Sequence, residues 1–306
     1  MLPAVPVTHD HSPRPAGPPE AHPVELLDEG RVTVSAPLLP LLHLNQLDTF
    51  QKVASLAGGE VKRDFPGRRT VRLELKNPTA SDGRPQAVYL KRYDPGYLRP
   101  RRRLLRRLGW PSAQDEAGLE WRGLQALAAL GVRTATPVAL GQARRRGIVT
   151  RSFLMTLEIP GAVEGSDHAS RLPPSQRRRF LVRVAELAAK VHGAGWVHKD
   201  FYISHVLVAP GPAGGSEPEL FLIDLQRVIQ PALWMERWRL KDLGALAYSA
   251  LKSRATPRDL LVAYLAYLGK KRLSAPDRIQ ARRVLRRVAW LKTRTPKHDK
   301  DFQQLT

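Results

Sequence analysis

The chain contains no cysteine and no long hydrophobic segment. Without cysteine no disulfide framework can form, which argues against a small secreted scaffold. The longest uninterrupted apolar run, residues 260–268, is nine residues long, and a helix of that length cannot cross a bilayer. The N-terminus also lacks the basic region and the apolar stretch of a signal peptide. We therefore expect a soluble, cytosolic protein.

Acidic residues are few relative to basic ones. The sequence has 28 Asp and Glu against 50 Lys and Arg, a formal net charge of +22. Such an excess predicts anionic surroundings, which could be a membrane surface, a phosphorylated substrate or nucleic acid. Because no nucleic-acid-binding motif accompanies the charge, we expect no nucleic-acid partner. The 306 residues, 42% of them hydrophobic, can bury a sizeable core in one large domain or two lobes.

Predicted strands come early in the chain and predicted helices come late. Residues 1–23 contain seven prolines and are expected to form a disordered tail. Strands are predicted early, at 70–75 and 87–91. Helices follow at 114–130, 175–192 (with Ser175 as N-cap), 236–252, 257–268 and 276–292. This order predicts an α+β fold, with a β-rich N-lobe at 24–155 and a helical C-lobe at 156–306.

The sequence His198-Lys199-Asp200 lies between a predicted helix and a predicted hairpin whose second strand ends at Asp224. It is a variant of the kinase catalytic loop H-R-D-x-x-x-x-N, and Asp224 stands where the metal-binding Asp of D-F-G would lie. In phosphoryl transfer from ATP, one carboxylate takes the proton of the acceptor hydroxyl and another holds Mg²⁺. The pattern predicts a protein-kinase-like bilobal fold, with Asp200 as the base and Asp224 as the metal ligand.

Two positions depart from the kinase pattern. His205 replaces the Asn of the catalytic loop, and Leu225-Gln226 replaces Phe-Gly. Imidazole is a poor ligand for Mg²⁺, which prefers oxygen. We therefore expect His205 to bind phosphate or to support Asp200, with one tightly held metal ion. Asp242 is placed near the beginning of the helix predicted after Asp224 and is expected either to accept hydrogen bonds from the catalytic-loop backbone or to be an ordinary helix N-terminal Asp.

Lys91 ends a short apolar strand, as does the lysine of V-A-I-K that holds the α- and β-phosphates of ATP. That lysine needs a helix glutamate, and Glu116 and Glu120 lie on one face of the predicted helix at 114–130. Glu120 is the favoured partner because it lies deeper in the helix. No G-x-G-x-x-G loop is present, so the position of the phosphate-covering loop follows only from its place before this strand.

Two segments concentrate arginine. Residues 97–110 contain six arginines interleaved with leucines and end in Trp110. The predicted C-terminal helix carries four more, at Arg282, Arg283, Arg286 and Arg287. Arginine suits bidentate phosphate recognition, while leucine and tryptophan beside it suit an anionic membrane surface. Both interpretations remain open at this point.

Several motifs resemble those of the bacterial lipopolysaccharide core kinases, a family of heptose and Kdo kinases with a protein-kinase-like fold. The resemblance covers roughly residues 50 to 270 and rests on Arg69-Thr70-Val71-Arg72-Leu73, Glu120-Trp121, Leu130-Gly131-Val132, residues 198–205, Leu222-Ile223-Asp224-Leu225-Gln226-Arg227 and Arg237-Trp238-Arg239-Leu240-Lys241-Asp242-Leu243. The histidine at position 205 is what that family carries there. Lys199 and Gln226 depart from it, which leaves the identity of the acceptor open.

The resemblance implies phosphorylation of a heptose or Kdo hydroxyl of the lipopolysaccharide inner core by MgATP. The enzyme would then be peripheral at the inner face of the cytoplasmic membrane. Only 17 residues separate Asp224 from Asp242, without A-P-E, so a regulated protein kinase is not expected. Two alternatives remain: a phosphotransferase of the aminoglycoside-kinase type, whose pockets are usually acidic, and a catalytically silent kinase-like scaffold.

Overall fold

The computed structural model of the protein describes residues 23–79, 83–94, 115–211 and 217–294. Of the segments considered above, residues 1–22 of the predicted tail and the whole basic segment 97–110 lie outside these ranges. The first half of the chain is rich in strands. Its elements are β1 (Val24–Leu27), β2 (Val32–Ser35), α1 (Leu39–Leu44), α2 (Phe50–Ala54), β3 (Glu60–Phe65), β4 (Arg68–Leu75), β5 (Gln86–Tyr93), α3 (Glu116–Ala129), β6 (Pro137–Arg145) and β7 (Ile148–Leu157).

Strands β1 to β7 form one antiparallel sheet in the order β1-β2-β6-β7-β5-β4-β3. Residues that alternate along a strand point to the same side of the sheet. In β4 and β5, Val71, Leu73, Val88 and Leu90 are buried in one apolar cluster, into which α2 inserts Phe50. This cluster is the core of the N-terminal lobe, and β5 lies inside the sheet between β4 and β7.

The second half of the chain is mainly helical. It consists of β8 (Val163–Glu164), α4 (Gly165–Arg171), α5 (Pro174–Gly193), β9 (Val206–Ala209), β10 (Glu219–Leu222), α6 (Met235–Lys252), α7 (Pro257–Leu268) and α8 (Ala275–Arg294). A small sheet has the order β10-β9-β8, while α5 packs against α7 and α6 against α8. The predicted α+β fold, with a β-rich lobe followed by a helical one, is confirmed. In the parts of the chain described, no helix is long and apolar enough to span a membrane.

Local sequence explains where two of the C-lobe helices begin. At α7, Thr256 Oγ1 accepts from the Asp259 backbone and the Asp259 side chain accepts from the Thr256 backbone, which together form a capping box ahead of Pro257. The predicted N-cap of α5, Ser175, is wrong. That helix begins at Pro174 after Pro173 and has no side-chain cap, because a proline in the first turn has no N–H that needs a partner.

Helix α3 belongs to both lobes. Asp115 caps it by accepting from the backbone N–H groups of Ala117 and Gly118. Its apolar face, with Trp121, packs in the main core of the C-terminal lobe. A Cβ at Gly123 would lie 2.7 Å from the backbone oxygen of Leu225, so only glycine allows α3 to approach the segment that follows Asp224. The helix thereby brings Glu120 close to Asp224, the predicted metal ligand.

Candidate active site

A cleft of about 560 Å³ lies between the sheet of the N-terminal lobe and the hairpin β9–β10. Four of the five residues predicted for the site line it: Lys91, Glu120, His205 and Asp224. The fifth, Asp200, is joined to them because His205 Nδ1 donates to its backbone oxygen over 2.8 Å. The structure thus brings all five sequence-predicted residues together.

Lys91 lies on β5, paired with Thr70 on one side and Leu154 on the other. Its Nζ forms a salt bridge with Glu120 Oε1. Tyr93 OH donates to the other carboxylate oxygen over 3.0 Å. Burial, together with the Glu120 charge, raises the pKa of Tyr93 well above its usual value, so the phenol stays protonated as a donor. Glu116 is partly exposed, and the predicted preference for Glu120 agrees with this geometry.

The catalytic loop is held by hydrogen bonds of His198, which is fully buried. Its backbone N–H donates to Asp242 Oδ2 over 2.7 Å, and its ring Nε2 donates to the Ile223 carbonyl over 3.0 Å. Burial lowers the pKa of His198, and the neighbouring His205 lowers it further. The imidazole is therefore neutral, and it links the loop before Asp200 to the strand end before Asp224.

Asp242 accepts from the catalytic-loop backbone, as predicted, but it does not begin a helix. Helix α6 starts at Met235, so Asp242 lies in its third turn, where it is 1% exposed. Its Oδ2 also lies 3.2 Å from His192 Nε2. The interpretation as a helix N-terminal Asp is wrong, because the helix already begins seven residues before Asp242.

The carboxylate of Asp200 lies between two cationic side chains. Arg227 Nη1 is 2.6 Å from Oδ2, and Lys241 Nζ is 3.4 Å from Oδ1. Lys199, immediately before it, has a left-handed backbone with φ 70°, which turns the chain at this point. Asp200 is about one-fifth exposed and can therefore reach a bound hydroxyl.

Asp224 follows β10 in a left-handed conformation, with φ 60° and ψ 51°. Its Oδ2 lies 3.7 Å from His205 Nε2 and its Oδ1 lies 3.6 Å from Arg68 Nη2. Burial raises the pKa of Asp224, but the charges of Lys91, His205 and Arg68 outweigh that effect and hold the pKa below its usual value. Asp224 is therefore an anion at neutral pH.

The residues around Asp224 fit a magnesium ion that is shared with phosphates. Its Oδ1 is buried and has no hydrogen-bond partner within the described ranges. With Nδ1 donating to the Asp200 backbone, His205 directs Nε2 towards Asp224. No group of three or more His, Cys, Asp or Glu among the described residues could hold a metal by itself. Mg²⁺ is usually held by one or two carboxylates plus substrate phosphates, and this site offers that arrangement.

Cationic side chains also line the cleft near the hairpin β3–β4. Lys62, Arg63 and Arg68 face it, and Gly67 in the turn has φ 85°. This hairpin occupies the place expected for the phosphate-covering loop. Burial lowers the pKa of Arg68, but its electrostatic interactions with Tyr93, Asp224 and Glu120 raise it more strongly. Arg68 therefore carries a permanent positive charge close to the carboxylates of Asp224 and Glu120.

The chain leaves the large sheet beside the cleft, directly after Leu157. Glu158 accepts two hydrogen bonds from Arg72, of 2.7 and 2.8 Å, and a third from Tyr89 OH. The hydrogen bonds from Arg72 hold the pKa of Glu158 below its usual value. Leu157, Leu207 and Ile223 form apolar walls of the same cleft. Such walls, next to a fixed connection between lobes, can hold a planar ring system.

Sequence reasoning missed the two cations that contact Asp200. Arg227 and Lys241 belong to motifs that were recognised, but no role was assigned to either. The available signal was their position, three residues after Asp224 and one residue before Asp242. Only the folded chain shows that both reach the same carboxylate.

The chain is similar to known proteins over most of its length. The model of the family described as lipopolysaccharide kinase (Kdo/WaaP) matches residues 61–267, more than half of the chain. The chain is 33% identical over 233 residues to the lipopolysaccharide core heptose(I) kinase WaaP of Pseudomonas aeruginosa, covering 71% of this chain and 79% of that protein. It is 31% identical over 229 residues to the protein of the same name from Escherichia coli K12, covering 72% and 82%.

A solved structure also resembles the protein. The structure of WaaP in complex with acyl carrier protein superposes with a TM-score of 0.61 at 29% sequence identity. The match covers 87% of this chain and 98% of that one. The arrangement of lobes is therefore shared over nearly the whole length of the solved kinase.

Proposed function

The chain belongs to the lipopolysaccharide kinase (Kdo/WaaP) family, and from this membership we propose that it transfers the γ-phosphate of ATP to a heptose hydroxyl of the lipopolysaccharide inner core. Two relatives named above are heptose(I) kinases. One observation carries the proposal. His198 and His205 join Asp200 to Asp224, and the Lys91–Glu120 pair lies in the same cleft. The base, the metal ligand and the phosphate-binding lysine then lie close enough to act on one ATP molecule and its acceptor.

Asp200 acts as the general base. Its carboxylate would accept the proton of the heptose hydroxyl as that oxygen attacks the γ-phosphorus, and the bond to ADP breaks. Two features support this role: the partial exposure of the carboxylate, and the His205 hydrogen bond that fixes the Asp200 backbone.

Lys91 and Asp224 hold the nucleotide. Asp224 would bind Mg²⁺, which neutralises charge on the phosphates of ATP. Lys91, oriented by Glu120, would contact the α- and β-phosphates. His205 supports both carboxylates, because Nδ1 donates to the Asp200 backbone and Nε2 faces Asp224; a protonated Nε2 would donate to a phosphate oxygen. The buried Oδ1 of Asp224, which accepts no hydrogen bond from the residues that the structure describes, supports a cation at this position.

The substrate is a glycolipid, and we place the enzyme on the cytoplasmic face of the inner membrane, attached peripherally. The net charge of +22 favours an anionic surface. An aminoglycoside acceptor is disfavoured because Arg227 and Lys241 flank the carboxylate of Asp200 and would repel a polycation. A silent scaffold would not need a phosphate-binding lysine, a base and a metal ligand in one place.

The test is transfer to a natural acceptor. The purified protein is incubated with MgATP and deacylated inner-core oligosaccharide from a strain that lacks this gene, and the product is mapped by mass spectrometry. We expect one added phosphoryl group on a heptose, and none with Asp200→Asn. Phosphorylation of kanamycin instead would identify the aminoglycoside type, and a protein that binds MgATP without any turnover would be a scaffold.

A further inference from the structure

Two cations contact the carboxylate of Asp200, and a third is its neighbour in the sequence. Arg227 and Lys241 contact it directly, at 2.6 and 3.4 Å. Lys199 is its neighbour in sequence, and Lys199 Nζ lies 5.1 Å from the centre of the Trp238 ring. Burial lowers the pKa of Lys199, and the charges of Arg227 and Lys241 lower it further, so the three cations lie close enough to repel one another. We call Lys199, Arg227 and Lys241 the acceptor-side cluster.

The acceptor-side cluster has more positive charge than Asp200 can balance. The other acid whose field reaches both lysines is Asp242. That carboxylate is 1% exposed and is already used by the His198 backbone and by His192. Three cations beside one accessible carboxylate leave a local excess of positive charge. Such repulsion is costly in a partly buried site unless a further anion relieves it.

The acceptor-side cluster is separate from the cations that face the nucleotide. Lys62, Arg63, Arg68 and Lys91 line the cleft, whereas none of Lys199, Arg227 and Lys241 does. Because Asp200 is the proposed base, these contacts place Arg227 and Lys241 next to the hydroxyl that it would deprotonate. The Arg227 side chain is 51% exposed and keeps N–H groups available for a second anion.

The backbone holds the acceptor-side cluster rigidly next to the base. Arg227 ends a short 3-10 turn that starts at Leu225. Two residues later, Ile229 exchanges backbone hydrogen bonds of 2.9 and 3.1 Å with Val197, just before the catalytic loop. Lys241 precedes Asp242, which binds the same loop. A rigid arginine fork and a lysine are the groups that recognise carboxylate and phosphate.

We propose that Lys199, Arg227 and Lys241 form an anion-binding subsite for a carboxylate or phosphate carried by the acceptor, next to the hydroxyl that is phosphorylated. This inference rests on the proposed function, because it specifies the acceptor of the same reaction. The anion contacts the free edge of Arg227 and the lysines, while the hydroxyl faces Asp200. The enzyme thus selects an acidic saccharide over a neutral one.

The experiment compares three acceptors prepared from the inner-core oligosaccharide of the gene-deletion strain: native, carboxyl-reduced (carboxylates converted to alcohols) and dephosphorylated. Arg227→Gln and Lys241→Gln are measured beside Arg258→Gln, an exposed arginine on α7 that serves as the charge-matched control. We expect each cluster variant to raise KM for the native acceptor by about tenfold or more, the usual effect of losing a charged hydrogen bond. KM for ATP should stay unchanged, Arg258→Gln should match wild type, and Arg227→Lys should recover part of the loss.

The modified acceptors identify the source of the anion. If the anion is a carboxylate, the KM of wild type for the carboxyl-reduced acceptor should rise by the same factor. The cluster variants should then show no further increase in KM on that acceptor. If it is a phosphate, the dephosphorylated acceptor shows this pattern instead. An increase in KM for ATP, or an equal penalty on all three acceptors, would overturn the subsite.

Binding separates this inference from the proposed function. Calorimetric titration of each oligosaccharide into wild type and variants, without ATP, needs no turnover. Weaker binding of the native acceptor by the cluster variants supports the subsite even if no phosphate is transferred, an outcome that would reject the proposed function alone. Equal affinity of wild type and variants for the native acceptor would reject the subsite. Circular dichroism and thermal unfolding confirm that the variants are folded.

Discussion

His205 Nε2 lies 3.7 Å from Asp224 Oδ2, while its Nδ1 already donates to the Asp200 backbone. At that distance the two side chains form no direct hydrogen bond, so Nε2 can contact a group bound beside Asp224. His205 therefore connects whatever Asp224 holds to the backbone of the catalytic loop.

Asp224→Ala should abolish Mg²⁺-dependent binding of ATP. The carboxylate is the anion that balances Lys91, His205 and Arg68 in the cleft, and the metal is the largest local charge once bound. Calorimetry with and without Mg²⁺ measures the effect. The variant should show the same weak affinity in both conditions. An MgATP affinity equal to that of wild type would mean that Asp224 is not the ligand.

Asp200→Asn should keep the fold and the affinity for ATP but lose transfer, because an amide cannot take the acceptor proton. General-base contributions amount to about 10²–10⁴ in rate. Steady-state kinetics on the oligosaccharide, with ATP binding as the control, measures the loss. Activity above about a tenth of wild type would contradict the role of Asp200 as base.

Lys91→Ala and Glu120→Ala should each impair activity, and the double variant should be little worse than Lys91→Ala alone. Residues that act as a unit give non-additive losses, and this pair is joined by a partly buried salt bridge. Glu116→Ala is the matched control, since Glu116 lies one turn earlier on α3 and is partly exposed. Strictly additive losses, or a larger loss for Glu116→Ala, would show that Glu120 is not the partner of Lys91.

Sequence reasoning found the residues whose surroundings are local. Lys91 and Asp224 are read from the ends of short apolar strands, and Asp200 from its position before a hairpin. Arg227 and Lys241 could not be found in this way, because their contacts with Asp200 depend on tertiary packing. Lys241 lies on α6, whereas Arg227 ends the turn after Asp224, which the pairing of Ile229 with Val197 holds beside the catalytic loop.

Some strands were also missed, for a physical reason that the structure shows. β6 begins at Pro137 and contains Gly141, and both residue types argue against a strand. Gly141 pairs with Phe153, and a Cβ there would lie 2.0 Å from the phenyl ring. The glycine is therefore required by a tertiary contact. In the sequence alone, the glycine only makes the prediction of a strand weaker.

The basic segment at 97–110 carries a prediction of its own. If it docks on an anionic leaflet, each cation near the surface contributes about 1 kcal/mol, so changing Arg101, Arg102 and Arg103 to Gln should weaken vesicle binding by roughly a hundredfold. Co-sedimentation with anionic vesicles at low and high salt measures this. A triple variant at the exposed Arg171, Arg179 and Arg258 removes the same charge and should bind more tightly than the segment variant.

Activity on the soluble oligosaccharide separates docking from substrate binding. The segment variant should retain it if the arginines contact lipid, since the cleft is unchanged. If they hold phosphates of the substrate instead, the soluble reaction would suffer as much as vesicle binding. Equal vesicle binding by wild type and the segment variant would remove the docking role.

Gly123→Ala tests the contact that brings α3 to the metal-binding segment. Alanine is the better helix former, by about 1 kcal/mol, so an exposed site would gain stability. At Gly123, however, the new Cβ would lie 2.7 Å from the backbone oxygen of Leu225, and overpacking of this kind costs roughly 1–3 kcal/mol. Gly193→Ala, at the end of α5 with no atom within 4 Å, is the matched control. Thermal unfolding should show a lower Tm for Gly123→Ala and an equal or higher Tm for Gly193→Ala.

Because Leu225 follows Asp224 directly, Gly123→Ala should also weaken MgATP binding at temperatures where it is fully folded. Unchanged stability and MgATP affinity would mean that α3 can withdraw from Leu225 without moving the site.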